Sequence, residues 1–162
     1  MTMPELEPDP TPTGVISIDY TAVLNRCVML SSYEGREAYD TTGKSRYANI
    51  HINTNDEPLV LGYIYQSEAE LRNRLDDMIS AVDESTNGYT WTLKAEDKRL
   101  KDKGRWPVDQ WMQEAMTAYA MRMWLSDTAR KPERTQFYEE LYRSMVKVIE
   151  DFVYKKQEPE YT

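Results

Sequence analysis

The strongest local pattern in the chain lies in residues 54–82, TNDEPLVLGYIYQSEAELRNRLDDMISAV. Thr54 stands three residues before Glu57, which is the spacing of a capping box, and Pro58 suits the first turn of a helix. Apolar side chains then recur at helical intervals, while charged ones fall mostly between them. The apolar positions are Leu61, Ile64, Leu71, Leu75, Met78, Ile79 and Val82. The pattern predicts one helix of about 28 residues, roughly 40 Å long, that forms the central strut of the fold.

The residues before this stretch predict a strand, a helix and a loop. Residues 15–18 favour a short strand, and Asp19 can cap a helix that continues to about Ser32. Residues 33–45 carry two glycines and several turn-forming polar residues, which favours a loop. A brief extended piece is expected at residues 50–52.

The residues after this stretch predict a strand and two more helices. Asn87-Gly88 ends the long helix, and residues 89–93 alternate as in a half-buried strand or hairpin arm. Proline opens each of the next two predicted helices, over residues 107–128 and 132–157. The apolar stripe of the last helix is expected to comprise Phe137, Leu141, Met145, Val148 and Phe152, widened by Tyr138, Tyr142, Ile149 and Val153.

Together these elements predict a mainly α fold. We expect a helical bundle of about four helices with a short β-strand or hairpin excursion and extended N- and C-terminal arms. A length of 162 residues is enough for one domain. Four prolines near the N-terminus predict a Pro-rich mobile arm over residues 1–13. A single helical domain over residues 14–157 and a C-terminal tail over residues 158–162 complete the expected organisation.

Charge and composition exclude several classes of protein. The net charge of -8 disfavours general coating of nucleic acid. One cysteine cannot form an intrachain disulfide, and one cysteine with one histidine cannot build a Cys/His metal cluster, so a reducing cytoplasm suits the chain. No apolar run approaches the roughly 18 residues of a membrane span, so we expect no contact with a membrane.

Three features suggest chemistry, and each has a simpler explanation. Ala38-x-x-x-x-Gly43-Lys44-Ser45 is one residue away from a phosphate-binding loop, but the flanking strand and helix are not predicted. His51 has no nucleophile or carboxylate beside it in the sequence, and Cys27 falls mid-helix in an apolar stripe typical of core. We therefore predict no catalytic residue, no cofactor, no metal site and no enzyme activity.

A basic segment and several aromatic residues are candidates for an interface. Residues 94–105 hold six basic and three acidic residues between two tryptophans. This pattern is typical of a solvated loop, and contact with nucleic-acid phosphates is the alternative. Tyrosines near the C-terminus are further candidates, because tyrosine is enriched where protein surfaces meet. The interface candidates are Trp91, Lys101, Arg105, Trp106, Tyr142, Tyr154, Lys155, Lys156 and Tyr161.

From Asp56 onward, the order of elements resembles the head-tail connector proteins of tailed phages, also called adaptor or head-completion proteins. In that family an acidic helix start opens a long helix, and a short strand or hairpin follows. A Pro-started helix rich in alanine and aromatic residues and a closing amphipathic helix complete the pattern. The parts of this chain that resemble this pattern are Asp56–Val82, Tyr89–Leu93, Pro107–Trp124 and Pro132–Tyr154.

The resemblance implies a non-enzymatic structural protein of the virion, assembled in the bacterial host cytoplasm. It implies a homo-oligomeric ring, typically a dodecamer, at the neck between portal and tail. The partners would be the portal protein and other tail or neck proteins, and DNA would pass through the lumen without sequence-specific binding. A C-terminal arm, Val153–Thr162, would reach the portal, and Tyr89–Arg105 would contact the next ring or the DNA channel.

A cytoplasmic DNA-binding or regulatory protein of helix-turn-helix type is the alternative, because a short turn joins the last two predicted helices. A recognition helix needs basic and amide side chains to reach phosphates and base edges. The last helix instead carries Glu133, Glu139, Glu140, Glu150 and Asp151. The connector interpretation is therefore preferred.

Overall fold

The computed structural model describes residues 15–36, 51–85, 88–93, 108–128 and 132–154. Within these residues, four helices and a small three-stranded antiparallel sheet confirm the predicted mainly α fold. The predicted arm at residues 1–13, the predicted loop at residues 94–105 and the tail at residues 158–162 lie outside the described residues. The elements in chain order are β1 Val15–Asp19, α1 Tyr20–Arg36, α2 Glu57–Arg74, a 3₁₀ helix Asp76–Met78, β2 Ile79–Ser85, β3 Gly88–Leu93, α3 Val108–Thr128 and α4 Pro132–Tyr154.

The central helix of the fold is α3. It contacts α1, α2, α4 and β1, and seven consecutive residues, 115–121, are buried. Three of them are alanines, Ala115, Ala118 and Ala120, which let neighbouring helices approach closely. The sequence pattern assigned the central position to residues 54–82, and that prediction is wrong. A helix buried on all sides lacks the amphipathic stripe by which a sequence marks a helix face.

Aromatic contacts show that α3 and α4 run antiparallel. The rings of Trp111 and Phe152 lie 5.6 Å apart, and those of Tyr119 and Tyr142 lie 5.3 Å apart, both edge to face. The start of α3 therefore lies beside the end of α4. Both predicted helices are confirmed in type, and α4 ends at Tyr154 within the described residues.

The first helix begins where its capping residue predicts. Asp19 Oδ1 accepts hydrogen bonds from the backbone N–H groups of Thr21 (2.9 Å) and Ala22 (3.3 Å). These bonds satisfy donors that the first turn of a helix leaves unpaired. The helix continues to Arg36, beyond the predicted end near Ser32, so residues 33–36, which were predicted as loop, are helical.

The sheet has the strand order β1-β3-β2. The predicted strand is confirmed as its central member, in which Trp91 pairs with Ile16 on one side and Val82 on the other. At the start of β3, a Cβ on Gly88 would lie 1.7 Å from the backbone oxygen of Ile18. Glycine is required here because the two backbones approach too closely for any side chain.

The helix predicted over residues 54–82 is three elements, namely α2, the 3₁₀ helix and the first part of β2. Its helical part ends at Arg74, and residues 79–85 form β2 instead. The spacing of Ile79 and Val82 fits a helix, but it also fits a strand whose register shifts between Ile79 and Ala81. Pairing with β3 decides between the two, because a strand needs a neighbour for its backbone hydrogen bonds.

The start of α2 also differs from the prediction. The helix begins at Glu57, and no side chain caps it. Instead, Asn53 Oδ1 accepts hydrogen bonds from the backbone N–H groups of Asn55 (2.9 Å) and Asp56 (3.2 Å). Asp56 Oδ2 in turn accepts one from the backbone N–H of Asn53 (3.0 Å). The capping role predicted for Thr54 is therefore wrong, because asparagine forms a tighter local turn one residue earlier.

Candidate interaction surface

The exposed side of α4 carries a row of large apolar side chains. Phe137 is 45% exposed, Leu141 36% and Val148 43%. Spacings of four and seven residues place them in one line along the helix. We call these three residues the apolar row. All three were predicted as part of the apolar stripe of this helix, but that stripe is not the face that the structure buries. The buried face comprises Tyr138, Tyr142, Val146, Ile149, Phe152 and Val153.

An ion pair with α1 lies at the edge of the buried face of α4. Glu34, 3% exposed, accepts hydrogen bonds from Arg134 Nε (2.8 Å) and Nη2 (2.6 Å). The hydroxyl of Tyr138 donates to the same carboxylate at 3.3 Å. The adjacent Phe137 ring points outward, with the Arg134 guanidinium 4.4 Å from its centroid. The sequence analysis missed this pair, whose members lie 100 residues apart.

The charge states of this pair are well defined. Hydrogen bonding to the Glu34 carboxylate, followed by its negative charge, raises the pKa of Arg134 against the opposing effect of burial. Burial and then the same carboxylate raise the pKa of Tyr138 to about 12. Both groups therefore remain protonated near neutral pH. The contact between α1 and α4 consequently joins a cation, an anion and a neutral phenol.

A second set of polar contacts holds α4 against α2. Arg74 Nη1 donates to Glu150 Oε1 at 3.3 Å, and Arg74 Nη2 lies 3.7 Å from Glu70 Oε1. Tyr142 packs on the same side and is 5% exposed. Burial, and then the nearby Glu70 carboxylate, raise the pKa of Tyr142. Tyr142 was predicted as an interface residue, and the structure places it in the core instead.

A line of exposed carboxylates borders the apolar row. Glu133, Glu140 and Asp151 are spaced by seven and eleven residues, which keeps them on one side of the helix. None of the three forms an ion pair with another described residue, although Glu140 accepts a hydrogen bond from Gln136 at 3.1 Å. We call these three residues the acidic edge. The exposed side of α4 therefore combines an apolar row with three carboxylates that form no ion pair among the described residues, and Lys147 lies beside them.

The other interface candidates are distributed over the chain. Trp91 stands in β3, and Tyr154 is the last residue of α4. Val153 is only 2% exposed, so this residue belongs to the core and not to the expected arm. The candidates outside the described residues are Lys101, Arg105, Trp106, Lys155, Lys156 and Tyr161, and the loop-like motif at residues 38–45 lies outside them as well.

The histidine has an unexpected partner. His51 Nδ1 lies 2.8 Å from Ser32 Oγ, which also donates to the Val28 backbone oxygen at 3.3 Å. The neighbouring Ile52 N–H donates to Ser31 Oγ at 3.0 Å. Among the described residues, no carboxylate contacts His51 to orient its ring as a general base requires. These bonds fasten residues 51–52 to α1.

Cys27 is a core residue, as predicted. It is fully buried, and its sulfur lies 3.9 Å from the Thr117 backbone oxygen on α3. Burial raises the pKa of the thiol to about 12. A reactive cysteine needs a lowered pKa and access to solvent. Cys27 therefore stabilises the contact between α1 and α3 and has no features of a nucleophile.

The described residues offer no assembled centre for chemistry. Within them, no three His, Cys, Asp or Glu side chains are grouped closely enough to hold a metal ion. A depression of about 580 Å³ between the end of α3 and the start of α4 is lined by Ser126, Pro132, Thr135, Gln136 and Glu139. Its one ionisable group, Glu139, already contacts Arg143 at 2.9 Å. In the described part of the chain, no helix has the length and apolar character to cross a membrane.

Comparison of the chain with protein-family models, with curated proteins and with solved structures found no match. The surface of α4 is therefore the feature of the described residues that most directly points to a function. This surface combines exposed apolar side chains with carboxylates, a combination that suits contact with another macromolecule.

Proposed function

We propose that the protein is a non-enzymatic head-tail connector of a tailed phage, one subunit of a homo-oligomeric ring between portal and tail. The observation that carries this proposal is the apolar row on α4, whose three side chains are 36–45% exposed. Exposed apolar side chains that form a continuous surface mark sites of protein contact. The mainly helical fold with a small sheet supports the same proposal, because it is the architecture that the resemblance implies.

The rigidity of α4 supports a role in assembly. Its buried face packs along α3, and the Glu34 carboxylate joins its N-terminal end to α1 through Arg134. A surface already held in position loses little conformational entropy on binding. The apolar row is therefore suited to form the same contact repeatedly around a ring.

The expected partners follow from this proposal. Further copies of the chain would complete the ring, with a dodecamer as the expected copy number. The portal protein and other tail or neck proteins would contact its two sides in the virion neck. The net charge of -8 favours a lumen through which DNA passes without sequence-specific binding.

A helix-turn-helix regulator receives less support. The last helix carries five acidic and three basic residues. Two of those basic residues, Arg134 and Arg143, already contact the carboxylates of Glu34 and Glu139. A recognition helix must direct such side chains toward phosphates and base edges. The charge on α4 therefore opposes contact with duplex DNA.

Mass photometry of the full-length protein, alone and mixed with a candidate portal protein, tests the proposal. We expect a particle of about twelve times 19.0 kDa, either alone or after addition of the portal. A parallel titration with duplex DNA at two salt concentrations is the control for the alternative. A strict monomer under both conditions would contradict the connector proposal. Tight, salt-sensitive DNA binding would instead favour the regulator.

A further inference from the structure

We propose that the apolar row and the acidic edge of α4 bind the basic segment, residues 94–105, of a second copy of the chain. This inference rests on the proposed function, because a ring requires each subunit to contact the next through two different surfaces. The exposed side of α4 would be one surface, and the basic segment would be the other. The contact would repeat head to tail until the ring closes.

Charge complementarity selects this segment as the partner of α4. The acidic edge presents three carboxylates that form no ion pair with described residues. Residues 94–105 hold six basic and three acidic residues, with Leu100 inside the segment and Trp106 directly after it as apolar groups. Opposite charges around an apolar contact favour one partner and one register over others.

The other long segments outside the described residues lack this complementarity. Residues 1–14 contain three acidic and no basic residues, so the acidic edge would repel them. Residues 37–50 contain two acidic and two basic residues, and so do residues 155–162. Among the segments of eight or more residues outside the described ranges, only the one containing residues 94–105 carries excess positive charge.

The ends of this segment are held near the C-terminal half of α4 in the same chain. Its far end joins Val108, three residues before Trp111, whose ring lies 5.6 Å from that of Phe152. Its near end joins Leu93, which pairs with Ile79. Ile79 follows Arg74 by five residues, and Arg74 bonds to Glu150 in the last turns of α4. Both ends of the segment therefore lie near the C-terminal end of α4, away from Phe137.

The length of the segment then favours a second copy over the same chain. Phe137 precedes Phe152 by 15 residues, which is roughly 22 Å along the helix. To reach Phe137 and return, residues 94–107 would need to span about 45 Å, which is about the full extended length of 14 residues. Within the same chain the segment could reach Val148, but no length would remain to place its side chains against Phe137. A segment from a neighbouring subunit has no such constraint.

Photocrosslinking in the full-length protein tests where the segment binds. Phe137→benzoylphenylalanine is introduced, copies labelled with ¹⁴N and ¹⁵N are mixed, and the portal-treated sample is irradiated and digested after acidic residues. We expect crosslinked peptides that join Phe137 of one isotope to residues 94–105 of the other. Leu59→benzoylphenylalanine, at a 51% exposed position on α2, is the matched control and should not crosslink to this segment. Crosslinks that join only peptides of the same isotope would overturn the inference. Crosslinks from position 137 to residues 37–50, to another α4 or to the portal would overturn it as well.

Charge reversal tests the same contact independently. Glu140→Lys and Lys101→Glu should each raise the concentration needed for ring assembly about tenfold, because each places like charges together. The double variant should recover most of the loss, whereas Glu84→Lys, at an exposed position on β2, should assemble as the wild type does. A ring that forms normally in both single variants overturns this inference and leaves the connector proposal intact. A wild-type chain that remains monomeric with portal overturns both.

Discussion

Close backbone contact makes Gly88 a residue on which the sheet depends. The dipeptide Asn87-Gly88 predicts a turn. The need for glycine, however, comes from β1, where the oxygen of Ile18 would lie 1.7 Å from an added Cβ. A strand about 70 residues earlier in the chain creates this requirement, so no local pattern reveals it.

We expect Gly88→Ala to lower the free energy of unfolding by about 2–3 kcal/mol, because the backbone of β1 or β3 must move to admit the methyl group. Urea denaturation measures this change. Gly62→Ala is the matched control, since no atom lies within 4 Å of its added Cβ on α2. Alanine in a helix should stabilise the protein by about 0.5–1 kcal/mol. Equal unfolding midpoints for the two variants would contradict the close approach of β1 and β3.

The pair of Glu34 and Arg134 offers a second test at the residue scale. Arg134→Met would remove the guanidinium that donates to the Glu34 carboxylate, which is 3% exposed, and should lower the free energy of unfolding by about 1–3 kcal/mol in urea denaturation. The double variant with Glu34→Met should be closer to the wild type, because no buried charge remains. Arg143→Met, at a position 75% exposed, should change stability by less than about 0.5 kcal/mol. Additive losses in the double variant would show that the two side chains do not interact.

Among the elements, the start of α2 depends on Asn53 rather than on the residue that the capping-box spacing selects. Asn53→Ala removes the acceptor of two backbone hydrogen bonds and should lower the free energy of unfolding by about 1 kcal/mol. Thr54→Ala should leave it nearly unchanged, because no side chain caps the helix at this point. Thermal denaturation of the two neighbouring variants gives a direct comparison. A larger loss of stability in Thr54→Ala than in Asn53→Ala would instead support the capping role of Thr54.

Several elements could be predicted because their signals are local. Asp19 marks the start of α1, and the alternation at residues 89–93 identifies β3. The end of α2 at Arg74 could not be predicted, because the residues that follow it fit a helix and a strand equally well. Pairing with β3, a tertiary contact, determines which of the two forms.

The candidate surface on α4 shows the same limit. The apolar residues of this helix cover more than one stripe, and periodicity alone does not indicate which stripe a neighbouring helix covers. Phe137 was predicted as core and is exposed, whereas Tyr142 was predicted as interface and is buried. Tertiary contacts set the rotation of the helix, and partners such as Glu34 and Arg134 are far apart in sequence. The composition of the surface was visible in the sequence, but its exposure was not.

For the whole molecule, the described core extends to the last turn of α4. One cluster of buried residues extends from Ile16 to Val153 and includes side chains from all four described helices. Phe152 and Val153 belong to this cluster, at 8% and 2% exposure. The attachment segment implied by the resemblance must therefore begin after Tyr154, because earlier residues are needed for packing.

Two truncations separate attachment from folding. Deletion of residues 155–162 should leave the urea midpoint and ring formation unchanged, because the buried cluster stays complete. The same deletion should abolish portal binding in mass photometry, because it removes the attachment segment. Deletion of residues 153–162 should also lower the free energy of unfolding by about 1.5–3 kcal/mol, through loss of the buried Val153 side chain. The shorter deletion thus reports on attachment alone, and the longer one adds a defect in the core. If portal binding survives the shorter deletion, the attachment site lies elsewhere on the ring. If the two truncated proteins are equally stable, Val153 does not contribute to the core.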